Sequence, residues 1–302
     1  MVDQTHVLLA VPFRDLGQIT VGGLATGAVY ALLLLGVLVV FRVSRNINFA
    51  YGQVGMVAAF GSWYLYSQRG WPVIVAVVAA TALAVALSSL IELAVRRIPE
   101  GGSGLDLVVT LGVFLLLTSV AQNLVDSNTH TFLSLLTNKR TVAGGVYING
   151  NDVGIIVLTL LAIGAFYWLL IRTNVGVSLR AAAESPAIAR SAGINVGLLR
   201  TGTWAVAGLV AAVVGMVTAS RLSVDAFYMT AVLIKVFVAG MIGGLDRFFA
   251  PLIAAFLLGL YEAWVVYFAG ASAATPAVFL LIIVVLAAMP KRFVEERREV
   301  RA

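Results

Sequence analysis

Few residues in this chain can do chemistry, and their types exclude more than they allow. The three lysines are Lys139, Lys235 and Lys291, and none follows a glycine. The loop whose amides and ammonium group cradle nucleotide phosphates is therefore absent. The two histidines, His6 and His130, stand far apart, which leaves no two-histidine zinc helix. There is no cysteine, so disulfides, iron–sulfur clusters and thiol catalysis are excluded. What remains is a handful of charges in apolar surroundings. Glu92 precedes Arg96 by four residues, a spacing that suits an ion pair at a helix end. Lys235 and Glu262 each stand alone in a run of Leu, Val, Ala and Phe. They lie on consecutive antiparallel runs, both roughly 9 Å deep from the same side at 1.5 Å per residue. An unpaired charge at a bilayer centre costs about 2.5–3.5 kcal/mol, so such residues pair or face a polar cavity. Lys235 and Glu262 are expected to lie close enough to interact, as a structural clamp; the alternative is that each meets another helix separately. No further buried carboxylates accompany them, which argues against a proton relay. No set of nucleophile, base and metal ligand assembles, and no enzyme is read from these residues.

The elements that must position these charges are apolar helices. Of 302 residues, 61% are hydrophobic and only 11% charged, and the mean hydropathy is +1.01. A soluble domain carries about 25% charged residues. Apolar runs fall near 19–41, 48–66, 72–94, 107–125, 153–171, 201–220, 229–244, 249–268 and 277–289. Most have the roughly 20 residues needed to cross ~30 Å of hydrocarbon, and they lack the two-residue alternation of a barrel strand. The seventh and last are short, so one could be re-entrant. The reading is an all-α polytopic membrane protein of about eight to nine transmembrane helices, forming a single membrane domain. The net charge of +6 is read as basic cytoplasmic loops, and no nucleic-acid partner is expected. Placing the C-terminus inside puts fourteen basic residues on inner segments and five on outer ones, and nine spans then put the N-terminus out. The first residues, "MVDQTHVLLAVPFRD", lack a basic region and cleavage site, so no removable signal peptide is expected. The longest outer segment, Asp126 to Asp152, is rich in Asn, Thr and Gly and could form turns or a small hairpin.

Small residues recur at four-residue spacing: Gly23, Gly27 and Ala31; Ala211, Gly215 and Ala219; Gly240 and Gly244. Such faces let helix backbones approach closely where lipid offers no hydrophobic drive. They suit packing within the chain or against another subunit. Asn48, Tyr51 and Gln53 are polar where lipid contact is costly, which places them along a solute path or in bonds to neighbouring helices.

One polar stretch interrupts the pattern: "IRTNVGVSLRAAAESPAIARSAGINVGLLR", Ile171 to Arg200. Ser185 suits a helix N-cap. Pro186 suits the first turn and Gly193 a left-handed stop. The preceding segment offers a second short helix with Arg180 and Glu184 at i,i+4 spacing. Alanines between the arginines suggest a low-relief surface that another protein could grip, although a positive-inside loop would need the arginines alone.

This stretch resembles the cytoplasmic signature of the branched-chain amino acid ABC-transporter permeases, matching at Arg172, Thr173, Gly176, Arg180, Ala181, Ala183, Ala189, Gly193 and Ile194. Two further stretches agree in order. One carries Ile47, Asn48, Phe49, Ala50 and Gly52; the other carries Lys235, Phe237, Gly243, Gly244, Gly259 and Glu262. The resemblance implies a bacterial inner-membrane importer of branched-chain amino acids or a related small polar solute. It implies a second, usually different, permease subunit, two cytoplasmic ATPase subunits that hold ATP and Mg, and a periplasmic or lipid-anchored binding protein. This chain would then carry no cofactor. The loop at about 172–200 would seat its coupling helix in the ATPase, with Glu184 and Pro186 beside the matched residues. Tyr51 and Gln53 replace the family's histidine and acidic residue, and "DRFFAPL", Asp246 to Leu252, replaces its glycine-serine-isoleucine-proline turn. These departures leave the solute open, since similar permeases carry urea and short amides.

Overall fold

The computed structural model describes residues 13–98, 104–124, 140–143, 146–221 and 225–288. His6, His130, Lys139, Lys291 and the basic C-terminal tail lie outside them. Eleven α-helices are described: α1 (Phe13–Ser44), α2 (Tyr51–Trp63), α3 (Val73–Arg96), α4 (Leu105–Leu124), α5 (Gly150–Arg172), α6 (Asn174–Glu184), α7 (Pro186–Ser191), α8 (Val196–Ala219), α9 (Tyr228–Gly243), α10 (Phe249–Ala269) and α11 (Ala271–Ala288). A π-helical turn, Tyr64–Gln68, extends α2. The only strands among the described residues are β1 (Arg140–Ala143) and β2 (Val146–Asn149), an antiparallel hairpin within the segment expected to turn.

Each of the nine apolar runs is a helix, and six helices among the described residues are long and apolar enough to cross a membrane. The helix α9 has only 16 residues, about 24 Å at 1.5 Å per residue. Helix ends move outward from the apolar runs where local chemistry extends them. The expected start of α8 at 201 becomes Val196 because the Asn195 side chain accepts from the Leu198 amide at 3.0 Å, adding a polar first turn. In α11 the helix runs back through Pro276 to Ala271. A proline this close to the start removes one hydrogen bond, which neighbouring groups in a membrane helix can offset. The 32-residue α1 has Asp15 in its first turn and Arg42 in its last, the arrangement favoured by the helix dipole.

Packing centres on α1 and α8. The apolar window of α1 is 83% buried and that of α8 72%, against 28% or less for α3, α4, α5 and α10. Around α1 lie α10, α8, α5 and α9, while α2 and α3 flank α8. Small residues make these approaches possible. A Cβ on Gly259 would stand 2.2 Å from the Gly27 backbone nitrogen, and one on Gly23 would stand 2.9 Å from Leu260 Cα. A Cβ on Gly215 would meet the Gly55 carbonyl at 2.1 Å, and Gly240 faces Leu245 and Leu34 side chains. These faces therefore serve contacts within the chain. Gly244 plays a different part: at φ +81° it ends α9.

Candidate functional site

Two polar regions lie at opposite ends of the bundle. The first holds α6 and α7. At the α5–α6 corner the helix end leaves carbonyls without partners. Thr173 Oγ1 donates to the Leu169 carbonyl at 2.6 Å and accepts from the Gly176 amide at 3.2 Å. Arg180 donates to the Leu170 carbonyl rather than reaching Glu184. Gly176 is required here, since a Cβ would sit 2.2 Å from the Leu170 carbonyl oxygen. Ser185 caps α7 by accepting from the Ile188 amide, with Pro186 in the first turn. The helix stops at Gly193, φ +82°, where the Gly193 amide donates to the Arg190 carbonyl and the Ile194 amide to the Ala189 carbonyl, both at 3.0 Å. This pair of bonds is the Schellman stop. Replacing Ser185 with alanine removes one cap and is expected to cost ~0.5–1 kcal/mol, read as a small fall in the detergent melting temperature with the fold retained.

The alanines of this region divide between the two sides: Ala187 and Ala192 are exposed, while Ala182 and Ala189 face the protein. Ala182, Ala189 and Val196 are buried together, with Ala181, Ile194 and Leu199 packed on them. Small side chains bring α6, α7 and α8 close, so Ala181 and Ala189 act as internal packing. The side chains that project are Ile188 at 70% exposure, Leu198 at 71%, and Val175 and Val177, with Arg172, Arg190 and Glu184 also exposed. Exposed apolar side chains rimmed by charges suit contact with a protein or with the membrane.

Behind this surface lies a buried carboxylate. Glu92 is fully buried; its Oε1 lies 3.8 Å from Arg96 Nε and 3.7 Å from Arg200 Nε. Thr201 Oγ1 donates to Glu92 Oε2 at 2.8 Å. Ser88 Oγ donates to the Trp204 carbonyl at 2.6 Å, and Trp204 Nε1 donates to Ser44 Oγ at 3.0 Å. The expected Glu92–Arg96 pair thus belongs to a clamp joining α3, the first turns of α8 and the end of α1. Arg200 and Thr201 could not be found from spacing, being more than a hundred residues from Glu92. Nearby, Arg45 pairs with Asp246 at the surface, and Arg42 lies over the Phe248 ring at 5.4 Å. The Asp246–Phe248 connection into α10 is thereby held against the end of α1.

The second region is at the other end. Lys235 and Glu262 form an ion pair, with side chains 12% and 13% exposed. The separation of each from its helix end, seven residues, is about 10 Å. Tyr30, on α1, completes the cluster: its hydroxyl donates to Glu262 Oε2 at 2.5 Å and accepts from Lys235 Nζ at 3.3 Å. Tyr30 was not singled out from the sequence, because nothing local marks a tyrosine whose partner lies 232 residues away. A cavity of about 410 Å3 opens beside the three, between α1, α8, α9 and α10.

Asn48, Tyr51 and Gln53 line neither this cavity nor the groove beside α6. All three are buried. Asn48 Oδ1 accepts from the Ala50 amide at 3.0 Å, and Gln53 Nε2 donates to Thr230 Oγ1 at 3.0 Å. The Tyr51 hydroxyl fills the space left by Gly36. They pack among α1, α2 and α9, with Asn48 Nδ2, the Tyr51 hydroxyl and Gln53 Oε1 buried without a hydrogen-bond partner.

Comparison with known proteins adds to this geometry. Residues 19–288 match the family described as branched-chain amino acid transport system / permease component. Over 89% of its length the chain is 26% identical to the high-affinity branched-chain amino acid transport system permease protein LivH of Escherichia coli, covering 92% of that protein. It is 27% identical over 84% of its length to a probable LivH permease of Methanocaldococcus jannaschii, covering 83%. The permease protein BraD of Pseudomonas aeruginosa is 26% identical over 82% of the chain and 85% of its own length.

Proposed function

The chain belongs to the branched-chain amino acid transport permease family, and on that premise we propose that it is the transmembrane subunit of an ATP-driven importer. Its solute is a branched-chain amino acid or a related small polar molecule. It sits in the bacterial inner membrane as about eight to nine crossings, N-terminus out and C-terminus in. It pairs with a second permease subunit, as a heterodimer, and receives solute from a periplasmic or lipid-anchored binding protein. ATP and Mg bind two separate cytoplasmic ATPase subunits, and this chain carries no cofactor and no catalytic residue.

The observation that carries this reading is the capped α6–α7 pair, with Ile188 and Leu198 projecting beside it. Arg172, Thr173, Gly176, Arg180, Ala181, Glu184, Pro186, Ala189, Gly193 and Ile194 build the coupling element. Thr173, Gly176 and Arg180 fix the α5–α6 corner, and Ala181, Ala189 and Ile194 pack α6 and α7 on α8. Pro186 and Gly193 bound α7, and Arg172 and Glu184 are exposed. Force from the ATPase reaches α8 through the short Gly193–Asn195 connection and reaches α3 through Glu92 and Arg200. Alternation between outward-open and inward-open forms then follows if ATP binds one state of the ATPase pair more tightly than the other.

Proteoliposomes containing the whole assembly test this. Ile188→Asp is expected to abolish ATP-driven solute uptake while leaving the permease folded, since Ile188 is 70% exposed and surface substitutions usually change stability by less than ~0.5 kcal/mol. Uptake by this chain without any ATPase, unaffected by Ile188→Asp, would instead identify a secondary transporter or channel.

A further inference from the structure

We infer that the cavity beside Tyr30 is a solute subsite, in which Lys235 and Glu262 exchange their own ion pair for the two ends of a zwitterion. This rests on the permease reading above and adds the residues and the chemistry of recognition. At about 410 Å3 the cavity lies within the ~300–1,000 Å3 range of ligand sites. Its lining holds the cluster of Lys235, Glu262 and Tyr30 and aliphatic side chains from Ile19, Val29, Val232 and Val266. The polar Gln18, Thr26, Thr218, Arg221 and Tyr228 also line it. The charged cluster and the aliphatic side chains suit a small molecule with a doubly charged head and a short apolar side chain.

Charge balance selects the ligand. The other charged lining residue, Arg221, is held by Asp152 at 2.9 Å, so the lining as a whole offers one positive and one negative group that can be reassigned. A lone anion taken by Lys235 would leave Glu262 without its cation, and a lone cation taken by Glu262 would strand Lys235. Either leaves a poorly solvated charge uncompensated. A neutral amide offers a donor and an acceptor but no charge to compensate either group. A zwitterion compensates both groups at once: its carboxylate takes Lys235 and its ammonium takes Glu262. The lysine stem is flexible enough to swing, and Tyr30 stays bonded to Glu262 when it does. The Thr218 hydroxyl adds a polar contact on the same wall; it is 4% exposed and has no protein partner.

The test uses the assembled transmembrane complex with its ATPases, in nanodiscs and without the binding protein, and reads binding of radiolabelled L-leucine by scintillation proximity. Unlabelled leucine is expected to displace it. Isovalerate, 3-methylbutylamine and isovaleramide should each compete roughly tenfold or more weakly, the scale of losing a charge-assisted hydrogen bond. The neutral double variant Lys235→Met/Glu262→Gln leaves no orphaned charge, so it should still assemble, yet lose leucine binding. The exchange Lys235→Glu/Glu262→Lys decides between a subsite and a clamp. It restores an ion pair but reverses the polarity that Tyr30 and Arg221 are placed to serve, so assembly should survive and binding should not. Leucine binding at the wild-type level in that variant, or equal competition by isovaleramide, would overturn the inference. So would wild-type complex that pumps leucine with ATP but binds none without the binding protein. Leucine uptake that ignores ATP would instead strike the importer reading itself.

Discussion

Replacing Gly259 with valine is expected to give one of the largest losses of stability of any single substitution at a helix contact described above. Its Cβ would stand 2.2 Å from the Gly27 nitrogen and 2.4 Å from Gly27 Cα. Both obstacles are backbone, so no rotamer change relieves the clash, and α1 must move away from α10. Overpacking a core costs about 1–3 kcal/mol even where side chains can yield, and here the loss is expected at or above that upper bound. Separating the two helices also pulls Tyr30 away from Glu262, which lies three residues beyond Gly259 on α10. The measurement is melting temperature and folded yield in detergent. Gly164→Ala is the control: Gly164 lies exposed on α5 with nothing within 4 Å of a built Cβ, so that variant should match the wild type. Equal melting temperatures for Gly259→Val and Gly164→Ala would refute the close α1–α10 approach.

Glu92→Leu is expected to cost about 3 kcal/mol, the lower end of the range for removing one partner from a buried ion pair. The lower end applies because the Arg96 side chain is 39% exposed and can turn to water, whereas Arg200 at 14% cannot readily do so. Thr201 also loses the nearer of its two acceptors, keeping the Gly197 carbonyl at 3.1 Å. Glu92→Gln keeps the nearer acceptor and should recover part of the loss. Under the importer reading a second effect follows, because the clamp sits directly behind α7. ATP hydrolysis should persist while solute moved per ATP falls, in both variants. Wild-type stability in Glu92→Leu would show that the carboxylate contributes nothing to the fold, and full coupling would show that α3 does not follow α8.

These two sites also mark the boundary of what the sequence disclosed. The helices were legible because lipid demands unbroken apolar runs, and α7 was legible because caps act on their own neighbours: Ser185, Pro186 and Gly193 declare its ends within nine residues. The Lys235–Glu262 pair could be reached because isolated charges in hydrocarbon need partners. Tyr30, Arg200 and Thr201 could not, since each owes its role to a helix distant in sequence and none is unusual in its own surroundings. Which of the α6–α7 alanines face inward, Ala182 and Ala189, and which outward, Ala187 and Ala192, was not legible for a similar reason. A six-residue helix such as α7 has too short a pattern to show which side faces the protein, and only the positions of α6 and α8 settle it. Asn48, Tyr51 and Gln53 follow the same logic, with polarity marking them as special while the packing of α2 against α1 and α9 determines why.

The burial of α1 bears on how the protein is made. This helix is synthesised well before α10, its most extensive partner, and the Tyr30 hydroxyl waits for a carboxylate 232 residues downstream. At ~5–20 residues per second that interval is on the order of ten to fifty seconds. For that time α1 must stand in lipid, or beside the insertion machinery, with its small-residue face bare. The α1–α10 face therefore closes only after α10 has entered the membrane, later than the contacts of α1 with α5 and α8. A nascent chain truncated before α10 should remain accessible at Gly23 and Gly27 to any helix that can fit there, including the first helix of a second copy.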